Sequence, residues 1–473
     1  MRQKMMWLLC VVFFFVSCAA AFAAEGDVPV AVHYEKAGKT KQIGAGFMRG
    51  ADVWIPEESA KLAGIPLLPG PNGKGFLLQI QDPAKIFEIK EMERLAGKTL
   101  TLYFPSAVED EVSYFNVAGM ERVTRLAVQN KNGVTLRAMT PNEPLPQKLA
   151  KPNAKIQGKL KLVWDHVVRD NKDLSKEPEI KGLHAISPTW FNMTGADGGM
   201  ANRASAAYVE EAHKRGYRVW ALVSNGFSRS MTTQFLRNPR GVNLLIARLL
   251  AYAKLYNLDG FNVDFEGLDA NDSELFVRFM SILSDQLKVQ GLSCSVDVHI
   301  PGTSNASRSH DRGELAKYAD YVMLMAYDQH WRTSPKSGSV ASMPWVERAV
   351  QGSLAEGVPK NKLVLGVPFY MRRWEETPAD GGKVKVKSFT LTMEEAESVA
   401  QRTGAAMHWL EDMGQHYFSY IENNKTYKVW VENAQSIERK LGLVKKYDLA
   451  GMAAWRRGHE KFEVWETINK LLP

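Results

Sequence analysis

From residue 160 onward the chain repeats one hydrophobic rhythm, a short apolar run followed by a longer amphipathic one. The short runs, at residues 160–164, 182–187, 217–224, 260–266, 294–299, 321–327, 363–369 and 449–455, read as eight strands. Between them lie helical stripes. Residues 271–289 place Leu275, Phe276, Phe279, Met280, Leu283 and Leu287 on one face, with Gly291 just beyond the end. Residues 343–357 repeat the pattern with Trp345, Val346, Ala349, Val350 and Leu354. Strands that alternate with helical crossovers over about 315 residues predict a parallel α/β fold, the (β/α)8 TIM barrel. The gap of roughly eighty residues between Phe369 and Leu449 exceeds an ordinary crossover. Its strand pair, at 416–421 and 427–431, predicts a small α+β insertion at about 377–440, between strands 7 and 8.

Ahead of the barrel the pattern changes to short strands and turns, with candidates at 28–34, 76–80 and 100–104 and a Pro/Gly-rich break at 66–73. Residues 52–64 read as a strand followed by a short helix, and this part resembles the small β-rich modules of bacterial envelope proteins related to the amine oxidase N-terminal domain. A proline-bearing linker, with Pro141, Pro144, Pro146 and Pro152, separates the two parts. The expected division is an export signal at 1–23, a small β-rich domain at 24–140, a linker at 141–153 and the barrel at 154–473.

The first residues read as a secretory signal: Arg2 and Lys4 precede an apolar stretch at 5–16, and Ala21-Phe22-Ala23 offers a cleavage site. That stretch is too short and too near the N-terminus to favour a permanent membrane span. In a second reading, Phe15-Val16-Ser17-Cys18 resembles a bacterial lipoprotein cleavage box, which would anchor the chain through a lipid on Cys18. Either reading places the mature chain outside the cell or in the envelope. Cleavage leaves Cys294 as the one certain cysteine, so no intrachain disulfide is expected, and its strand-like setting marks it as a core thiol. At 45% hydrophobic residues the 473-residue chain can pack large cores and is too polar for a polytopic membrane protein. The net charge of +8 is spread out, which argues against a nucleic-acid partner and suits an acidic cell-wall substrate. The ten histidines show no metal-ligand spacing, and there is no Gly-rich phosphate loop and no Ser nucleophile elbow, so neither a metal nor a cofactor is expected.

The chemistry concentrates in Asp259-Gly260-Phe261-Asn262-Val263-Asp264-Phe265-Glu266. A period of two sends Phe261, Val263 and Phe265 to one face and Asn262, Asp264 and Glu266 to the other. Burying two carboxyls on one face is costly unless something uses them, and the C-terminal end of a barrel strand is where catalytic groups sit. Both acids approach from one side, whereas a conventional retaining pair must flank the scissile bond with carboxyls about 5–5.5 Å apart.

This octapeptide resembles the signature strand of glycoside hydrolase family 18, whose members cleave β-linked N-acetylglucosamine polymers. Met323-Leu324-Met325-Ala326-Tyr327-Asp328, two strands later, resembles the family's sixth strand. The resemblance implies substrate-assisted retaining hydrolysis. Glu266 would be the proton donor, Asp264 the acceptor of the acetamido N–H and Tyr327 the donor to the acetamido carbonyl. Asp328 would orient the sugar, Met325 would line the floor and Trp455 would be the platform beneath the reacting ring. In this reading the nearby Asp264 charge and partial burial let Glu266 retain its proton. Where many chitinases have Asp, this chain has Asn262, so Asp264 is expected to stay charged more readily. Asn is common in the branch resembling spore-germination and cortex-lytic glycosidases, as are Ile186-Ser187-Pro188-Thr189-Trp190-Phe191 and Leu365-Gly366-Val367-Pro368-Phe369-Tyr370. Trp190, Trp331 and Trp374 follow strand ends and are candidates for stacking on sugars. The expected protein is an exported, monomeric β-N-acetylglucosaminidase acting on peptidoglycan. The alternatives are a chitinase and a glycan-binding barrel that does not cut.

Overall fold

A computed structural model describes residues 27–130, 133–152, 156–379 and 383–473. The export signal, its cleavage site and Cys18 lie outside the described residues. Eight parallel strands form the barrel: β1 (Leu160–Asp165), β2 (Ala185–Pro188), β3 (Arg218–Ser224), β4 (Gly260–Asp264), β5 (Ser293–Val298), β6 (Tyr321–Met325), β7 (Leu363–Pro368) and β8 (Gly451–Trp455). Neighbours pair in the order β2-β1-β8-β7-β6-β5-β4-β3, and Ala185 and Ile186 of β2 close the ring on Arg218 and Val219 of β3. The strands are buried on nearly every residue, so most read as near-continuous apolar runs, while β4 and β5 alternate because their lumen face carries polar groups.

Helices α1 (Ala206–Lys214), α2 (Pro239–Tyr256) and α3 (Ser273–Val289) pack outside β2 to β5. The outward residues of the motif strand insert among them. Phe265 lies 5.3 Å from Phe279 and 5.7 Å from Phe276 of α3, both rings nearly parallel to its own. With that face committed to aromatic packing, period two leaves the opposite face no choice but the barrel lumen.

Asp259, the first acid of the octapeptide, works at the other end of the strand. Its Oδ2 accepts from the Val219 amide at 2.8 Å and lies 2.7 Å from Nε2 of His213 on α1, all buried at the barrel floor. It fastens β4 to β3 and α1 and does not face the mouth.

The insertion between β7 and β8 is a five-stranded antiparallel sheet with one helix, Met393–Thr403. It starts at Met371, nearer to β7 than the turn pattern indicated, because the chain runs from Tyr370 straight into the strand Met371–Pro378. The helix Ala434–Lys446 then returns the chain to the barrel, fixed by a fully buried ion pair, Lys440 to Glu432 at 2.8 Å.

The N-terminal part forms a seven-stranded sheet, including Val28–Lys36 and Val134–Ala138, and a three-stranded sheet of Leu67–Pro69, Phe76–Gln81 and Thr99–Phe104. It is bonded to the barrel: Tyr252 of α2 takes the Tyr103 amide at 3.0 Å and donates to its carbonyl at 2.8 Å. None of the described helices is long and apolar enough to cross a membrane.

Replacing Asp259 with Ala strands the Val219 amide and the His213 ring at a buried joint. The expected cost is about 1–3 kcal/mol, read as a lower Tm and urea midpoint, with KM for glycan unchanged because the group lies at the opposite end of the strand from the cavity.

Candidate active site

β4 ends at Asp264, two residues before the octapeptide does, yet Glu266 is held as firmly as a strand residue. The side chain of Asn225, just past the end of β3, replaces the missing ladder. Its Oδ1 accepts from the Glu266 amide at 3.1 Å and its Nδ2 donates to the Glu266 carbonyl at 2.7 Å. This two-point clamp, with the Phe265 stack behind it, aims Glu266 into a cavity of about 530 Å3 at the C-terminal mouth of the barrel.

The cavity has an acidic wall and an aromatic one. Asp264 and Glu266 come from β4, Asp297 from β5 and Asp328 from the end of β6. Across from them Trp455 closes β8, tilted against Trp164 of β1 at 6.2 Å and His166 at 5.8 Å. Tyr327 and Met325 lie between, on the floor. Asp328 sits in the left-handed region at φ 59°, a conformation an Asp tolerates better than most residues. There it accepts from the Tyr370 hydroxyl and, at 2.7 Å, from Arg372, the second residue of the insertion's first strand. The insertion thus supplies the counter-ion of a site acid. His299, one step past β5, reaches Glu266 with 3.3 Å between Nε2 and Oε2.

Burial sets the electrostatics. Asp264 is pushed well above the usual carboxyl range by burial first, then by Glu266 and Asp297. Asp297 is also held high, by burial, although the Asn262 amide donates to it. Glu266 is raised to about 7, by burial and then by the Asp328 charge. Tyr327 is held well above its ordinary range by burial and by the surrounding acids, so its hydroxyl remains a donor. His299 is lowered to about 4, again by burial first, and is neutral at ordinary pH. Two expectations are overturned. Asn262 does not leave Asp264 readily charged, because burial first, then Glu266 and Asp297, hold its proton. The raised Glu266 owes its shift to burial first, as expected, and then to Asp328 rather than to Asp264.

The structure brings Glu266, Asp264, Tyr327, Met325, Asp328 and Trp455 together around one cavity. Asn262 lies beneath it, fully buried, accepting from Trp164 Nε1 at 2.7 Å and donating to Ser295 Oγ at 3.0 Å and to Asp297 Oδ1 at 2.8 Å. Three tryptophans are elsewhere. Trp190 turns away from the mouth and is fully buried, edge-on to Tyr208 of α1 at 5.3 Å with its N–H spent on Asn171, so it offers no face to a sugar. Trp374 is equally buried and donates to the Gly338 carbonyl at 2.8 Å. Trp331 is half exposed on the loop after β6, bonded to Thr333 at 3.1 Å, and does not line the cavity.

Asp297 and His299 were not singled out from the sequence, although the alternation Cys294-Ser295-Val296-Asp297-Val298-His299 carried the same signal as the octapeptide. Asn225 and Arg372 left none, since their partners lie across strands. Among the described residues no trio of His, Cys, Asp or Glu side chains is placed to hold a metal ion.

The sequence family of glycosyl hydrolases family 18 matches residues 199–460, more than half the chain. The chain belongs to family 18. Among its relatives, the Bacillus subtilis glycosylase YvbX is 26% identical over 301 residues, 61% of this chain and 84% of YvbX. The cortical fragment-lytic enzyme of Bacillus anthracis is 24% identical over 310 residues, 62% of this chain and 70% of that enzyme. In fold, the crystal structure of a chitinase from Chromobacterium violaceum superposes with a TM-score of 0.59 at 22% identity, covering 66% of this chain and 98% of that one. The family 18 match covers β3 to β8 and so the four acids of the cavity, which makes this chain a glycosidase related to cortex-lytic enzymes and chitinases.

A raised carboxyl is a burden on the fold. The folded protein binds the Glu266 proton more tightly than the unfolded chain does, so its contribution to stability falls as pH rises from about 4.3, the unfolded value, towards the folded value of about 7. Glu266→Gln removes that loss. The Tm of the variant should exceed that of the native enzyme by a margin that is small under acid conditions, widens across this window and levels off above it.

Proposed function

We propose that this family 18 enzyme is an exported β-N-acetylglucosaminidase that cuts β-1,4-linked bacterial peptidoglycan by substrate-assisted, retaining catalysis. One observation carries the mechanism. Among the described residues every carboxyl lining the cavity comes from β4, β5 or the end of β6, while the opposite wall presents Trp455 and His166. A protein nucleophile facing the proton donor across the sugar is therefore missing from the cavity lining, and the nucleophile must belong to the substrate.

Glu266, protonated up to about pH 7, gives its proton to the leaving glycosidic oxygen. The acetamido carbonyl of the sugar at the cleavage point closes onto C1, and Tyr327 donates to that oxygen, which positions it for attack. Asp264 accepts from the acetamido N–H and, as its charge develops, stabilises the positive ring so formed. Glu266, now ionised, takes a proton from water, which opens the ring from the face the leaving group vacated. Two displacements retain the anomeric configuration. Asp328, locked by Tyr370 and Arg372, orients the sugar and keeps Glu266 acidic in the useful range.

Two features favour peptidoglycan over chitin. The relatives include a cortical fragment-lytic enzyme. The β1 side of the cavity also carries arginines: His166 there is lowered by burial and then by Arg456, against a smaller opposing pull from Asp165, with Arg203 adding to the lowering. Arg203 itself lines the cavity, where it suits the carboxylates of a muramyl glycan and adds nothing for neutral chitin. Residues 1–23 carry the export reading, which the secretion of a tagged chain tests directly.

The enzyme should release reducing sugars from purified peptidoglycan faster than from chitin oligomers, with product masses showing cleavage on the N-acetylglucosamine side. Equal or greater activity on chitin would overturn the substrate assignment and leave the mechanism intact. Glu266→Gln should lose on the order of 10²–10⁴ in kcat while still binding glycan. Replacing the 2-acetamido group of the reacting sugar by a free amine should all but stop cleavage. Turnover of such a substrate, or an inverted product, would remove the mechanism.

A further inference from the structure

The octapeptide puts Asn262 where an ionisable neighbour would share a proton with Asp264, and the structure shows what stands in its place. The parallel register pairs Asn262 with Ser295 and Val263 with Val296. One step further sets Asp264 beside Asp297 on strands about 4.8 Å apart. Asp297 is 2% exposed and Asp264 8%. Asp264 Oδ1 is buried without a hydrogen-bond partner, while Asp297 accepts from Asn262 Nδ2 at 2.8 Å and is also faced by the Trp164 N–H. Among the described residues neither carboxyl has a Lys or Arg in salt-bridge range. What faces Asp297 is Asp264 and Glu266 from β4, Tyr327 and Asp328 from β6, His299 and Ser295 from its own strand and the Trp164 indole from β1. Two carboxylates this close in a dry site cannot both ionise cheaply, and the orphaned oxygen of Asp264 lacks the hydrogen that one shared proton would provide.

We propose that Asp297 is a positioning residue of the reaction, supplying from β5 the second acid that Asn262 cannot be and holding one proton in common with Asp264. Asn262 becomes the bracket: its amide fixes one oxygen of Asp297 and leaves the other for Asp264. In the empty site the proton is bonded to one carboxyl and hydrogen-bonded to the other. When the acetamido N–H reaches Asp264, any O–H bond there breaks, its electron pair stays on Asp264, and the proton is bonded to Asp297. Asp264 then carries a full charge beside the developing positive ring. Product release reverses the transfer, and no outside acid or base is consumed. This rests on the substrate-assisted reading of Glu266 and Asp264.

The experiment uses full-length protein with ¹³C-labelled aspartate carboxyls. In Glu266→Gln, expected to bind glycan and cut it only slowly, one Asp carboxyl should remain protonated at neutral pH and vanish from the spectrum in Glu266→Gln/Asp297→Asn. In otherwise native enzyme, Asp297→Asn should lower kcat on the order of a hundredfold with KM unchanged. Adding Asn262→Asp to it should return much of the lost kcat, since the acid is moved back next to Asp264 on its own strand. A merely structural Asp297 would not be rescued in this way. Native kcat in Asp297→Asn, no rescue by Asn262→Asp, or no protonated aspartate in Glu266→Gln each overturns the proposal. Near-native turnover by Glu266→Gln would instead sink the underlying mechanism, so the two failures are told apart, and the spectrum of Glu266→Gln needs no change at Asp297 to fold.

Discussion

Asp264, Glu266 and Asp297 share one small barrel mouth, and most of what surrounds them answers the difficulty of keeping them there. Ionised together in so small a part-buried space they would repel, so protons are retained: Glu266 up to about pH 7, and Asp264 and Asp297 well above the usual range. Around the carboxyls stand groups that stay neutral: Asn262 below, His299 lowered by burial, and Tyr327 kept protonated. Arg372 is spent on Asp328 at the rim. An arginine one layer deeper would ionise the cluster and remove the very proton the acid needs.

Holding such groups in place takes work from the other face of the same strand. Phe265 is stacked on Phe276 and Phe279, so the residues on either side of it cannot rotate away from the lumen. Asn225 clamps the backbone of Glu266 where the ladder has run out. The site acid beyond the strand end is thus no looser than one inside it, and it gains reach into the cavity. Strand ends with side-chain clamps combine the rigidity of a sheet with the exposure of a loop.

The barrel and its acids were legible because both depend on local periodicity. Eight apolar runs announce eight buried strands, and Phe261, Val263 and Phe265 fix by themselves which way Asp264 points. Asp297 was equally legible by that rule but was eclipsed by Cys294 in the same run, whose chemistry turned out to be burial alone. Trp190 marks where periodicity stops helping. It follows β2, where the chain leaves the ladder, and past that point only packing against Tyr208 decides its direction. Arg372 and Asn225 act on partners about forty residues away, and a contact at that separation has no signature in either segment.

The β-rich domain was legible as strands but not as part of the barrel's architecture, since its attachment is written in isolated polar residues. Asp52 bonds to the Ser205 hydroxyl, and that same hydroxyl caps α1 by accepting from the Tyr208 amide at 3.1 Å. Tyr208 in turn donates to Asp165 at 2.6 Å, and Asp165 holds Arg457, two residues past Trp455, at 3.1 Å. Each of these groups is buried, so breaking one leaves a polar atom without water to replace its partner. A domain on a flexible tether has no need of such joints. Here the chain of bonds runs from the N-terminal sheet to the β1 and β8 side of the cavity, the side that carries Trp455. The β-rich domain is thereby part of the framework that sets the aromatic wall, and its orientation is coupled to the site by the same buried polar contacts that hold β1 and β8 in register.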